Sequence, residues 1–184
     1  MNETMRSIME RRSVRAYTDE PLTEAELNAL KEAALASPSA KNSQDWHFIF
    51  VTNRDLLEAF SADFRAGMIA AAPEKKEQFK NYDVLYHPPL LVVITLKDDP
   101  SSRFSEVDAG IAVENIALAA QGMGLGSVIL GMPIDLFRSE IGPAWMQRLQ
   151  FPEGHHFAIA ISVGHPAMSK DAHPIGENKV TFIR

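Results

Sequence analysis

The chain has 184 residues and a formal net charge of −6, from 18 lysines and arginines against 24 aspartates and glutamates. Its hydrophobic fraction of 46% and charged fraction of 23% are globular averages, so one domain spanning residues 1–184 is predicted. The lack of cysteine excludes disulfides and thiolate metal sites and fits a reducing compartment, the acidic balance argues against nucleic acid as a partner, and no apolar run reaches the roughly 18 residues of a membrane span.

Residues 4–12 are predicted to form a short helix, with Thr4 at the N-cap and Met5, Ile8 and Met9 on one face. Behind it comes "RRSVRAY", Arg11 to Tyr17, which concentrates positive charge in an acidic chain. A twin-arginine export signal would continue into an apolar segment; here Thr18, Asp19 and Glu20 follow, so a soluble, cytoplasmic protein is expected. Thr23 and Glu26 have capping-box spacing, and Leu27, Leu30, Ala34 and Leu35 then form a helical stripe that ends before Pro38.

"WHFIFVT" (46–52) reads as a strand, "RDLLEAFSADFRAGMIAAA" as a helix, and residues 73–87 as a polar stretch without clear periodicity. "PLLVVITL" (89–96) has the continuous apolarity of a strand buried on both faces. The helix at 103–121 is apolar almost all round, which predicts full burial within the chain or at a subunit interface. A strand at 126–131, a helix from Pro133 to Ile141, a strand at 155–164 and a terminal strand at 179–184 complete the pattern. Helices alternate with strands and hairpin signals are lacking, so the class is α/β or α+β around a mixed sheet.

Gly122, Gly124 and Gly126 do not form a dinucleotide loop, because that loop needs a strand before the glycines and a helix after them. The order here is inverted, which points to helix termination. His155 and His156 are adjacent on a strand and face opposite ways, which disfavours a shared metal ion. No GxSxG motif and no thiol supports nucleophilic catalysis, so chemistry is expected from a cofactor.

In an extended segment Arg11, Ser13 and Arg15 would point one way, two guanidinium forks flanking a hydroxyl. That set suits a phosphate and a planar acceptor, although a solvated helix end would also explain the charges. "SPSAKNSQDWHF" (37–48) adds Ser39, Asn42 and Gln44, which are ordinary loop residues and also able to read a polar heterocycle or ribityl hydroxyls.

Taken in order, "RRSVRAY", "SPSAKNSQDWHF", "DAGIAVENIALAAQGMGLGSVILG" and "SVGHP" resemble the FMN-dependent nitroreductase family, over most of the chain from Arg11 to His165. The resemblance implies an α+β fold with a central mixed sheet flanked by helices, assembled as an intertwined homodimer with FMN at the interface. It assigns Arg11 and Ser13 to the FMN phosphate and ribityl end, while Arg12, pointing away from Arg11 and Arg15 in an extended segment, is left to structure or the phosphate rim. Arg15 goes to the pyrimidine edge near N1 and the C2 carbonyl. Pro38, Ser39 and Ala40, with Asn42 and Gln44 adjacent, would be lent by the partner subunit. Leu130 and Gly131 would approach the reactive N5 edge. A C-terminal arm, about 165–184, would reach the partner and supply Lys179, with Lys170 as a second candidate for gripping the phosphate.

The implied activity is NADH- or NADPH-driven reduction of a small-molecule electron acceptor such as a nitroaromatic or quinone, by a two-step exchange at one site. Alternatives within the same fold are a non-redox flavin- or nucleotide-binding domain, and relatives that fragment the flavin or dehydrogenate a substrate. This chain departs from the family pattern at Asp45, where a proline is usual. Residues 62–87 fall in the family's most variable region, where Phe79, Tyr82 and Tyr86 could stack on a substrate.

Overall fold

A computed structural model describes all 184 residues. Four strands, β1 (Trp46–Val51), β2 (Leu90–Lys97), β3 (Gly126–Leu130) and β4 (His155–Gly164), form one sheet in the order β1-β2-β4-β3. All three pairings are antiparallel, and every connection contains a helix. The mixed character expected of the sheet reduces to one parallel bridge, between Ser13 and Ser127 at the outer edge of β3.

Side chains of β2 alternate between two cores, as a strand's period of two requires. Leu90, Val92, Ile94 and Leu96 face α2 (Glu24–Leu35) and α5 (Ser105–Gly122). Leu91 and Val93 face Phe60 and Phe64 of α3 (Arg54–Ala71), with Phe137 and Trp145 beyond. The strand is therefore covered on both sides, as its unbroken apolarity predicted. The short α4 (Lys76–Phe79) follows α3.

Local chemistry sets the helix ends. The capping box at α2 forms, with the Thr23 hydroxyl accepting from the Glu26 N–H and the Glu26 carboxylate accepting from the Thr23 N–H. At the end of α5, Leu125 N–H donates to the Ala120 carbonyl at 2.9 Å and Gly124 N–H to that of Gln121 at 3.1 Å, with Gly124 at φ +78°. That is a Schellman turn, so these glycines terminate a helix as their order predicted.

Three expectations change. The first helix, α1 (Glu3–Glu10), is capped by Asn2, whose side chain accepts from Met5 N–H, and not by Thr4. The helix expected from Pro133 to Ile141 divides into α6 (Ile134–Phe137) and α7 (Gly142–Arg148), with Gly142 packed so tightly on the Phe137 carbonyl that no Cβ fits. Residues 179–184 form no strand, because nothing within the chain serves them as a ladder partner. Within the single chain α5 is buried on one side only. Ala109, Ala112, Ile116 and Ala117 are buried, whereas Phe104 at its N-cap, Val107 and Ile111 are exposed, since the chain's own sheet covers only one side.

Candidate functional site

The arginine segment leaves α1 and lies alongside β3. Val14 N–H donates to the Ser127 carbonyl at 2.9 Å, and Val14 is buried while Arg15 is exposed. Ser13 bridges to Ser127, and beyond Val14 the segment leaves β3, where Ala16 and Thr18 exchange backbone hydrogen bonds with Ala167 and His165 past the end of β4. The structure thus sets Ser13 against β3, while the 82–86 turn meets Arg15 through Tyr86 and Met132, the residue after Gly131, through Tyr82. A Cβ on Gly131 would meet only Ile159 Cδ1, at 3.9 Å, so this glycine is not forced by crowding within the chain.

The three arginines have different partners. Arg11 Nε donates to Glu114 of α5 at 3.1 Å. Arg12 Nη1 donates to the carbonyls of Met9 and Arg11 at 2.8 and 2.7 Å, closing the end of α1, while its Nε is buried without a partner. The Arg15 guanidinium carbon lies 5.7 Å from the centre of the Tyr86 ring, within cation–π range.

The 37–44 loop is tied to α5 from another direction. Asp108, buried in the first turn, accepts from Ala40 N–H at 3.0 Å, and Asn115 Nδ2 donates to the Ser37 hydroxyl at 3.0 Å. The Ser39 hydroxyl accepts from Gln44 N–H at 3.0 Å, and Gln44 Nε2 donates to Asn42 Oδ1 at 2.8 Å. Lys41, Asn42 and Gln44 all have positive φ, and Pro38 is exposed. Asp45 accepts from the Ser102 hydroxyl, which turns its charge toward the 99–104 loop.

Asp108 and Asn115 are seven residues apart, two helical turns, and share a face; Glu114 lies about 100° round from Asn115. The arginine segment and the 37–44 loop therefore attach to different faces of α5. Glu114 shares its own face with Val107 and Ile111, the exposed apolar residues. Sequence reasoning missed Asp108, Glu114 and Asn115 as organisers of the site; polar residues at a regular spacing on an otherwise apolar helix were their signal.

Lys170 and Lys179 lie in the exposed tail beyond Gly164 and make no hydrogen bond or ion pair with the arginine segment. Within one chain the tail is held near its start, where Ala167 N–H donates to the Ala16 carbonyl at 2.9 Å and Arg15 N–H to Met168 Sδ at 3.3 Å.

Residues 82–87 complete this end of the molecule. The Tyr82 hydroxyl donates to Met132 Sδ at 3.5 Å, beside Gly131, and burial with the neighbouring Tyr86 raises the Tyr82 pKa against the opposing charge of Arg15. A groove of about 730 Å³ opens between α3 and α6, lined by Phe64, Met68, Met132 and Leu136. Phe79 is half-buried at the end of α4. The adjacent histidines of β4 find separate partners, His155 at Thr95 and His156 at Asp98.

An arginine-rich segment bridged to the sheet edge, a loop pinned to α5, and a strand end at Leu130–Gly131 define a nitroreductase-type α+β fold. The nitroreductase family model matches residues 8–165, and the chain belongs to that family. A relative from Archaeoglobus fulgidus, provisionally named an NADH dehydrogenase/NAD(P)H nitroreductase, is 32% identical over 93% of this chain and 90% of its own. An FMN reductase [NAD(P)H] of Bacillus subtilis is 28% identical over 91% of this chain and 67% of its own. The crystal structure of a nitroreductase with bound FMN from Desulfitobacterium hafniense DCB-2 superposes over 100% of both chains with a TM-score of 0.89 and 31% identity.

Proposed function

We propose that the chain is an FMN-dependent oxidoreductase that uses NADH or NADPH to reduce a nitroaromatic, quinone or related small-molecule acceptor. The observation that supports this reading is the bridge of Ser13 to Ser127 on β3, with the 82–86 turn meeting both Arg15, through Tyr86, and Met132 beside Gly131, through Tyr82. The donor set fits FMN. Arg12 and Arg15 have no carboxylate partner, Arg12 Nε is buried and unpaired, and Arg11 meets Glu114 through Nε alone.

When bound, FMN supplies hydride acceptance and donation at its N5. The chain's own task is to bind, orient and tune that group. Arg11 and Arg12 hold the phosphate, Ser13 donates at the ribityl end, and Arg15 places positive charge at the pyrimidine edge. Leu130 and Gly131 offer main-chain groups to the N5 edge, and the groove beside Met132 receives apolar acceptors. No side chain of this set need transfer a proton.

The working unit in this reading is a homodimer in the cytoplasm, formed through the exposed face of α5. Glu114 holds Arg11 on that same face, so a partner docking there would bring its Pro38, Ser39, Ala40, Asn42 and Gln44 toward the arginines. The exposed arm, about 165–184, would extend onto the partner with Lys179 or Lys170 at the phosphate. Its apolar Ile175, Val180, Phe182 and Ile183 are exposed in the single chain, which supports a covered position. No helix is long and apolar enough to cross a membrane.

Anaerobic addition of NADH or NADPH to the FMN-loaded protein tests the reading: the oxidised-flavin absorbance should bleach and return with an acceptor. Protein that takes up no FMN refutes it. Protein that binds FMN but is bleached by neither nicotinamide is the non-redox binding domain instead.

A further inference from the structure

Asp83 is buried in the variable region, yet its carboxylate makes no contact with an arginine or lysine. Its Oδ1 accepts from Leu85 N–H at 2.7 Å and from the Ser61 hydroxyl of α3. Its Oδ2 accepts from His87 N–H at 2.8 Å and lies 2.9 Å from His87 Nδ1. The turn these bonds close is unusual. Tyr86 and His87 sit at φ +64° and +51°, in a region that bulky side chains rarely adopt and that persists only where surrounding contacts enforce it.

The enforced conformation has one visible consequence at the flavin site. Tyr86 leaves the turn with its ring 5.7 Å from the Arg15 guanidinium, while Tyr82, one residue before Asp83, reaches Met132 beside Gly131. Arg65 Nη1 fixes the Tyr82 carbonyl at 3.1 Å, so the start of the turn is anchored to α3 as well.

We propose that Asp83 is a positioning residue for the flavin site: by closing the 83–87 turn it holds the Tyr86 ring against Arg15 and so sets where that guanidinium meets the flavin. The proposal rests on the FMN reading above. It gives a function to a segment whose sequence shows only scattered aromatics.

Asp83→Asn tests it with little change of volume. Asparagine keeps an acceptor for Leu85 N–H and the Ser61 hydroxyl but turns amide N–H groups toward His87 N–H, donor against donor. FMN affinity, measured by flavin fluorescence, should fall about two- to five-fold, the size of a partly exposed cation–π contact. The flavin midpoint potential should shift in the same direction as in Arg15→Ala and by less. Tyr86→Leu should reproduce both changes, and the double variant should be no worse than either single one, because both act through the same ring.

Additive effects, or a lowered melting temperature with unchanged affinity and potential, would assign Asp83 to stability alone and overturn the proposal. Should Asp83→Asn fail to fold, Tyr86→Leu decides by itself: unchanged affinity and potential overturn the proposal. Wild-type protein that takes up no FMN would refute the functional reading, whereas normal uptake with unaffected variants refutes this inference alone.

Discussion

Ser13 and Ser127 face each other in a parallel bridge, and that single pairing sets an arginine-bearing segment against the strand that ends at Leu130. The bridge depends on Gly126, the residue before Ser127. A Cβ there would come within 2.8 Å of Val14 Cγ1 and 2.9 Å of Val14 Cβ, closer than side chains approach in folded proteins. The close approach of two backbones is what the glycine permits.

Gly126→Ala should therefore push residues 13–15 away from β3. We expect a loss of about 1–3 kcal/mol in stability, typical of overpacking, accompanied by weakened FMN binding. Urea denaturation and flavin titration measure the two together. An alanine variant with unchanged stability and affinity would mean that Val14 can yield without moving Ser13 or Arg15.

Arg15→Ala should lower both flavin affinity and reduction potential, since reduced flavin carries negative charge at N1–C2=O and loses its cation. Arg15→Lys should recover part of the potential, because it retains the charge without the planar fork. Spectroscopic redox titration of the loaded variants distinguishes them. An unchanged potential in flavin-loaded Arg15→Ala would remove Arg15 from the site.

Val107 is 58% exposed on α5, so a charge there disturbs the single chain little. In the proposed homodimer, Val107→Glu should give a monomer in sedimentation experiments and lose FMN, because the partner's loop would no longer reach the arginines. A dimeric variant with full flavin content would place the interface elsewhere. Circular dichroism matching the wild type would confirm that the chain still folds.

Burial, with His47 nearby, holds the His155 pKa below its usual value of 6.5. The folded state thus favours the neutral ring, and this contribution is fully present above the unfolded value. It is lost as pH falls from the unfolded toward the folded value. Stability of the wild type should decline between pH 7 and pH 5, and His155→Gln should show a shallower decline across that window in urea titrations. Equal slopes would show that other groups dominate acid sensitivity.

Local chemistry made much of the fold legible. The Thr23–Glu26 box, the unbroken apolar run of β2 and the glycines after α5 each act over a few residues, so their structural consequences could be read directly. The division of Pro133–Ile141 could not, because the contact of Gly142 with the Phe137 carbonyl depends on how the chain folds back. The terminal strand failed for a related reason: β propensity in "KVTFIR" counts only where folding brings the segment to a ladder partner.

At the candidate site, the residue types were legible and their company was not. The sequence by itself determined a cluster of arginines in an acidic chain, a polar loop, and an apolar helix carrying Asp108, Glu114 and Asn115. Only the tertiary structure decided that Glu114 holds Arg11, that Asp108 and Asn115 hold the loop on another face, and that the Tyr86 ring lies 5.7 Å from the Arg15 guanidinium carbon. Pairings between residues tens of positions apart follow from which helix faces and strand edges meet, and that is settled by packing the whole chain.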